Sequence, residues 1–234
     1  MTAGRRARSI ALIGLCAAFT VVFVLLGAWQ VQRRVWKRDL IAKVEQRIHA
    51  EPVPAPAGWS SDDVYRRVRL EGAFDHGDET LVQAVTEKGP GFWVLTPLKT
   101  DSGFTVLVNR GFVPGERKAV ASHPAGPVTV VGLMRASEPN GGFLRRNQPG
   151  QGRWYSRDVQ AIAAAHNLIN VAPYFVDADA APNPGGWPLG GLTVVRFPNS
   201  HLIYALTWFG LALLTSGAGL YVARDARRSP EGGA

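Results

Sequence analysis

Residues 198–223 have the sequence PNSHLIYALTWFGLALLTSGAGLYVA, which contains no Lys, Arg, Asp or Glu. At the α-helical rise, the part from 201 onward is about 35 Å long, and the hydrocarbon core of a bilayer is about 30 Å thick. The proline and asparagine that precede it suit a chain entering a helix. The stretch therefore predicts a transmembrane helix over residues 198–223, followed by a short basic tail at 224–234.

Polar and aromatic side chains are concentrated at the start of this helix. His201, Tyr204, Thr207 and Trp208 are spaced at i, i+3, i+6 and i+7, which predicts that they share one helix face. An ionisable residue in a membrane segment is by default a candidate functional group, so His201 is the best single site residue. The alternative is that these side chains only anchor the helix at the headgroup level.

A second uncharged run covers residues 10–32 and is also long enough to cross a bilayer. Arginines precede it, so a signal peptide is the alternative interpretation. However, the run exceeds the usual apolar core of a signal peptide, and Leu26-Gly27-Ala28 is a poor cleavage site. Apolar residues then recur at helical spacing to about residue 49, where prolines follow. The pattern predicts a transmembrane helix that continues as an amphipathic helix, after a tail of residues 1–9.

The net charge of +8 is concentrated beside the two uncharged runs. Basic groups in such positions indicate contact with lipid headgroups and set topology, and they do not indicate a nucleic-acid partner. Two spans place both termini on one side, and the basic tails favour the cytoplasm for them. Residues 50–197 are then expected outside the membrane. The flanking basic residues are Arg5, Arg6, Arg8, Arg33, Arg34, Lys37, Arg38, Arg224, Arg227 and Arg228.

The region between the runs shows strand patterns separated by turn signals. Thr100-Asp101-Ser102-Gly103, with its glycine late in the turn, predicts a hairpin. Short strands at close spacing around one helix predict a small, mostly antiparallel barrel or a strongly curved sheet. The expected fold class is a membrane α+β protein, in which two transmembrane helices flank a barrel-like extramembrane domain. The predicted strands are residues 64–70, 80–85, 91–99, 104–109, 128–134, 173–177 and 192–196, and the predicted helix is 156–168.

Few motifs in this region suggest chemistry. The run Asp75-His76-Gly77-Asp78-Glu79 could ligate a metal, although a solvated turn is the favoured interpretation. His166 is best explained by the dipole at the end of its helix, and His123 follows no pattern. Around Arg110 the sequence predicts a bend that ends a strand, with the arginine packed over an aromatic ring. Because no motif of hydrolases, zinc proteases or phosphate loops occurs, we predict no enzymatic activity.

Five stretches occur in order along the chain. They are Leu26-Gly27-x-Trp29-Gln30-x-x-Arg33 with Trp36-Lys37, Tyr65-Arg66-Arg67-Val68 with Gly72-x-Phe74, Gly91-Phe92-x-Val94-x-Thr96-Pro97-Leu98, Val108-Asn109-Arg110-Gly111-Phe112-Val113-Pro114 and Asn199-x-His201-Leu202-x-Tyr204-Ala205-x-Thr207-Trp208-Phe209. Taken together, they resemble the Surfeit locus protein 1 family of cytochrome c oxidase assembly factors, and in particular a bacterial member. The resemblance covers about residues 24–223. One departure is Phe112, where the family motif usually has tryptophan, so an aromatic residue is kept.

The resemblance implies a multi-pass protein of the bacterial inner membrane whose main domain is periplasmic. It implies a role in delivering haem a to the large catalytic subunit of cytochrome c oxidase. The expected partners are that subunit, haem a synthase and membrane lipid. The alternative is a structural adaptor that stabilises an oxidase intermediate without binding haem.

The resemblance also implies a haem ligand, because the histidine of the last motif is the proposed haem a ligand and corresponds to His201. A haem carrier needs an imidazole, an apolar slot and cations for the propionates. Trp208 and Phe209 are the candidates for the slot, and Tyr204 is a further candidate for cofactor binding. Arg33, Arg34 and Arg196 are the candidates for the propionates.

Overall fold

The computed structural model describes residues 3–116, 122–142, 144–193, 195, 197 and 199–228. The chain divides into a helical unit, Met1–Lys43 with Arg196–Ala234, and a β unit, Val44–Val195. Apolar terminal helices and a barrel-like sheet domain confirm the predicted fold class. Arg196 and Pro198 lie outside the described residues, so the predicted role of Arg196 has no structural description.

The helical unit contains two long helices, α1 (Ala3–Ile48) and α3 (His201–Arg228). Both are long and apolar enough to cross a membrane. α1 is continuous through the predicted change from membrane to amphipathic character, and α3 begins three residues after position 198. Neither helix contains a proline, which would interrupt it, and the first proline after α1 is Pro52.

The two helices pair in an antiparallel manner along stripes of partly buried residues. Contacts occur in opposite order along them: Gly219 lies beside Cys16, Thr215 bonds to Thr20, and the Phe209 ring covers Gly27. On α3 the residues of this stripe are spaced three or four positions apart, as in two helices that pack along one face, or seam. Small residues suit such a seam because they allow two backbones to approach closely. The α3 stripe consists of His201, Ala205, Trp208, Ala212, Thr215 and Gly219.

The β unit is a seven-stranded sheet that closes on itself. Its strand order is β1-β2-β6-β7-β5-β4-β3, and an additional β2–β4 pairing closes a five-stranded barrel of β2, β6, β7, β5 and β4. The β5–β7 and β1–β2 pairs are parallel, whereas the others are antiparallel. The strands are β1 (Val53–Pro54), β2 (Arg67–Phe74), β3 (Thr80–Thr86), β4 (Gly89–Thr100), β5 (Thr105–Pro114), β6 (Pro127–Ala136) and β7 (Val171–Ala178).

Strand β5 is buried on both faces because it separates two apolar clusters. Val106 and Val108 point into the barrel, where they join a cluster with Tyr174. Leu107 points to the other face and packs in a second cluster with Ile162 of helix α2 (Val159–Ala165). Because successive side chains of a strand point to opposite faces, neighbouring residues of β5 pack in different apolar clusters.

The hairpin prediction at residues 100–103 is confirmed, because Lys99 pairs with Thr105 and Gly103 has a φ of +86°. The strand expected at 64–70 begins later, at Arg67, since Tyr65 has a φ of +61° after a 3-10 turn. The strand expected at 192–196 is wrong for the described residues of that range. Helix α2 is also shorter than the expected 156–168.

The predicted strand end near Arg110 is wrong, because β5 continues through Gly111 to Pro114. Gly111 has a φ of +132°, and a Cβ there would lie 2.1 Å from the carbonyl oxygen of Leu189. The glycine therefore allows a crossing backbone to approach the strand rather than ending it. The predicted aromatic partner of Arg110 is confirmed, since its Cζ lies 5.1 Å from the centroid of the Phe74 ring.

Candidate functional site

The candidate site begins at His201, the first residue of α3, which is half-buried. Its Nδ1 lies 2.7 Å from Oε1 of Gln30, which is on the partly buried stripe of α1. An amide oxygen only accepts hydrogen bonds, so Nδ1 carries the proton in this arrangement. In this tautomer the lone pair is on Nε2, the atom that could ligate a metal.

Aromatic rings continue from His201 along the same side of the helix pair. The ring of Trp208 stacks on that of Phe23, with centroids 5.7 Å apart and an interplanar angle of 24°. Phe23 in turn stacks on Phe19 at 5.8 Å. Trp208 is two helical turns from His201, which corresponds to about 10 Å along the axis. These rings supply an apolar surface beside the imidazole.

The predicted common face of four side chains is only partly formed. His201 and Trp208 face α1, but Tyr204 is 56% exposed. Thr207 is also exposed, and its hydroxyl donates a 2.9 Å hydrogen bond to the carbonyl of Ile203. The contact with α1 instead uses Ala205, because the i+4 position follows the seam between the helices.

The cations near this site differ in their environments. Arg33 is exposed, and its Cζ lies 4.7 Å from the centroid of the Trp36 ring on the same helix. Arg34 is half-buried and comes one helical turn after Gln30, on the same stripe of α1. Of the predicted propionate partners, Arg33 is therefore engaged by a ring, and Arg34 is better aligned with Gln30.

Further along the helix pair, hydroxyl groups join the two helices. Thr20 Oγ1 lies 2.8 Å from Thr215 Oγ1 and 3.3 Å from Ser216 Oγ. Thr20 and Thr215 each lie within hydrogen-bond distance of a carbonyl of their own helix as well, so the one that donates across the pair gives up its own carbonyl. Polar side chains that satisfy one another across helices favour association where the surroundings are apolar. These contacts fix the register of α1 and α3, the helices that carry Gln30 and His201.

Sequence reasoning assigned no role to Gln30, although the residue belongs to one of the motifs of the resemblance. An amide within an uncharged run of 23 residues was the signal that could have identified it. Its partner was not predictable, because Gln30 and His201 are 171 positions apart.

The β unit contains a buried polar network around Asp177, which is 3% exposed. Its carboxylate accepts hydrogen bonds from Asn109 at 2.7 Å, Arg157 at 3.2 Å and Thr193 at 2.9 Å, and also from Arg135. A cavity of about 700 Å³ lies beside this network. The two arginines are already matched by Asp177 and by Glu138, so the network is primarily a structural element.

Comparison with known proteins places most of the chain in one family. The model of the SURF1 family matches residues 17–213. Surfeit locus protein 1 of Mus musculus is 39% identical over 229 residues, covering 88% of this chain and 72% of the relative. That of Homo sapiens is 39% identical over 214 residues, covering 82% and 70%. A SURF1-like protein of Monosiga brevicollis is 34% identical over 223 residues, covering 87% and 84%.

Proposed function

The chain belongs to the SURF1 family, and on this premise we propose that it is an assembly factor for haem-copper cytochrome c oxidase. In this role it assists delivery of haem a to the large catalytic subunit. The observation that carries the haem part of the proposal is the His201–Gln30 hydrogen bond, which leaves Nε2 of the imidazole available.

The residues of the helical unit fit haem a as a cargo. Histidines that ligate metals usually donate their other ring N–H to a fixed acceptor, which is the arrangement of His201 and Gln30. Phe23 and Trp208 would contact the apolar face of the macrocycle, and Arg34 or Arg33 would pair with its propionates. Tyr204 lies on the exposed side of α3, where it would contact the haem once a helix of the partner covers it.

The exposed faces of the two helices support a membrane setting. Large apolar side chains there are mostly open, for example Leu213 at 75% and Ile203 at 68%. In a bilayer these residues contact lipid or the helices of a partner. We propose that the partners are the large oxidase subunit and haem a synthase, within the bacterial inner membrane.

The proposed topology has both termini in the cytoplasm and the β unit in the periplasm. Val85 is 87% exposed in the β unit, and Arg224 is exposed near the end of α3. In intact cells, Val85→Cys should react with a maleimide that cannot cross the membrane, whereas Arg224→Cys should react only after lysis. Reaction of Arg224→Cys alone in intact cells would reverse the topology.

The haem proposal is tested by comparing three purified proteins, the wild type, His201→Ala and His49→Ala. His49 is an exposed imidazole at the end of α1, so its removal controls for general loss of a histidine. The wild type and His49→Ala should retain haem a with the same visible spectrum. His201→Ala should lose most of the haem and the spectral signature of the imidazole ligand. Equal haem content and spectra in all three proteins would refute ligation by His201.

A structural adaptor remains the second candidate function. It is favoured by the observation that the His201 ring already contributes to helix pairing through Gln30. Purification in mild detergent separates the two functions. Loss of haem from His201→Ala with the large oxidase subunit still attached supports the carrier. A wild type that retains the subunit and contains no haem supports the adaptor.

We propose no reaction for this chain. His201 is the only histidine in α1 and α3, both of which are described in full. An enzyme that modifies haem within a membrane would be expected to present several histidines, so assembly rather than catalysis fits the helical unit.

A further inference from the structure

The β unit brings together three potential metal ligands that are far apart in the sequence. His76 lies in a 3-10 turn before β3, Glu79 directly precedes that strand, and His123 lies in the segment before β6. One ligand atom of each residue lies within 4.8 Å of those of the other two. The two imidazole rings meet edge to face, with centroids 4.7 Å apart. The three residues are called the His–Glu–His cluster below.

The protonation of His76 is set by a backbone carbonyl. Its Nε2 lies 2.9 Å from the carbonyl oxygen of Pro124, which can only accept, so Nε2 carries the proton. The lone pair is therefore on Nδ1, which is buried and has no hydrogen-bond partner among the described residues. A buried polar atom without a partner is unfavourable, and in native proteins it often indicates an ion or a water. A carbonyl on the opposite nitrogen is also the usual partner of a histidine that ligates a metal.

The carboxylate of Glu79 is held in position by neighbours in the barrel. Its Oε2 accepts a 3.1 Å hydrogen bond from Thr96, and it lies 3.4 Å from Nη1 of Arg110, which is 4% exposed. A carboxylate has four lone-pair sites, so it can keep these contacts and still ligate an ion.

His123 is the side chain that can complete the cluster. Its side chain is 52% exposed, and its Nε2 lies 3.7 Å from Oε2 of Glu79. In a tetrahedral zinc site with bonds of about 2.1 Å, ligand atoms are about 3.4 Å apart. The ligand atoms of the cluster lie within 4.8 Å of one another, so they must approach by as much as about 1.4 Å to reach this separation, and His123 is the most exposed of the three side chains.

We propose that the His–Glu–His cluster binds a divalent late first-row transition-metal ion, of which Zn²⁺ is the representative. Two imidazoles and one carboxylate form a common set of protein ligands for Zn²⁺ that keeps a fourth position for water. Nitrogen-rich sets of this kind favour such ions over Mg²⁺ and Ca²⁺, which prefer oxygen. The site is independent of His201 and of the proposed haem function.

The test uses the full chain in detergent, purified without a polyhistidine tag and freed of metals. Zn²⁺ is titrated by calorimetry and by competition with a chromogenic chelator, and Mg²⁺ is titrated in parallel. The wild type should bind one Zn²⁺ per chain and should not bind Mg²⁺ at the same concentrations. His123→Ala and His76→Ala should bind Zn²⁺ at least tenfold more weakly, because each removes one of three ligands.

A control variant makes the result specific. His49→Ala should retain the affinity of the wild type for Zn²⁺, because His49 is exposed and lies outside the cluster. Because His123 is half-exposed, His123→Ala should keep the far-UV circular dichroism of the wild type, which separates ligand loss from unfolding. Equal affinity of His123→Ala and the wild type, or no Zn²⁺ binding by the wild type, would overturn the proposal.

Discussion

Nδ1 of His201 and Oε1 of Gln30 are 2.7 Å apart, which joins the first turn of α3 to the partly buried stripe of α1. The bond fixes the imidazole tautomer as well as its position. The two functions considered for His201, haem ligation and helix pairing, both depend on this bond. A substitution that removes the bond is therefore the most informative one.

Gln30→Leu should weaken retention of haem a by about 10- to 100-fold, the usual effect of removing the acceptor that orients a ligating histidine. The affinity is measured by transfer of haem a to an acceptor protein. The matched control is Gln32→Leu, which makes the same change at an exposed position two residues away. Indistinguishable affinities of the two variants would show that the bond does not support ligation.

Gly219→Cys should form an intramolecular disulfide with Cys16, the only native cysteine. An added Cβ at position 219 would lie 3.1 Å from the Cβ of Cys16, close to the separation of about 3.5–4.5 Å in disulfides. After mild oxidation and proteolysis between the helices, the two fragments should stay linked on a non-reducing gel. Gly217→Cys is the control, because a Cβ there meets nothing within 4 Å. Equal linking of both variants would contradict the antiparallel seam.

Asp177→Ala should lower the free energy of unfolding of the β unit by about 3–5 kcal/mol, because it leaves the partly buried guanidinium of Arg135 without its carboxylate and removes one of the two carboxylates that pair with Arg157. Asp177 accepts from both Arg135 and Arg157 and is 3% exposed. The measurement is denaturation in urea, followed by near-UV circular dichroism. Asp179→Ala, which removes a partly exposed pair with Arg67, should cost about 1 kcal/mol or less. Similar losses in the two variants would argue against a structural role for the network.

Glu138 should make the β unit less stable in acid. Burial raises the pKa of its carboxyl, but hydrogen bonds and the charge of Arg157 outweigh burial and lower the pKa below the ordinary value of 4.5. A lowered folded-state pKa gives stability that is complete above the ordinary value and is lost as the pH falls through the folded value. Glu138→Gln should therefore show a smaller drop in unfolding free energy between pH 6 and pH 3 than the wild type, with Glu87→Gln as the exposed control. A drop as large as that of the wild type would contradict the assignment.

Local signals in the sequence were sufficient for several elements. The uncharged runs predicted both long helices because hydropathy is a property of consecutive residues. The hairpin at residues 100–103 was predictable because glycine alone adopts its positive φ without strain. His201 was singled out for a similar reason, as an imidazole at the edge of an uncharged run.

Residues that depend on contacts between distant segments were not predictable in this way. The strand over residues 104–109 was expected to end in a bend around Arg110, but it continues because Gly111 makes room for the crossing backbone at Leu189. His123 showed no pattern in the sequence, and only the packing of its loop against the turn at His76 gives it neighbours. Tyr204 was assigned to the face of His201, but the seam with α1 leaves it exposed.

The sequence by itself determined the two apolar helices, the strand-rich region between them and the single histidine of the helices, because each follows from neighbouring residues. The tertiary structure decided which side chains meet: Gln30 with His201, β2 with β4, and His76 with Glu79 and His123. The physical reason is that hydrogen bonds and metal ligands act over a few ångströms. Only chain folding brings groups from opposite ends of the sequence within that distance.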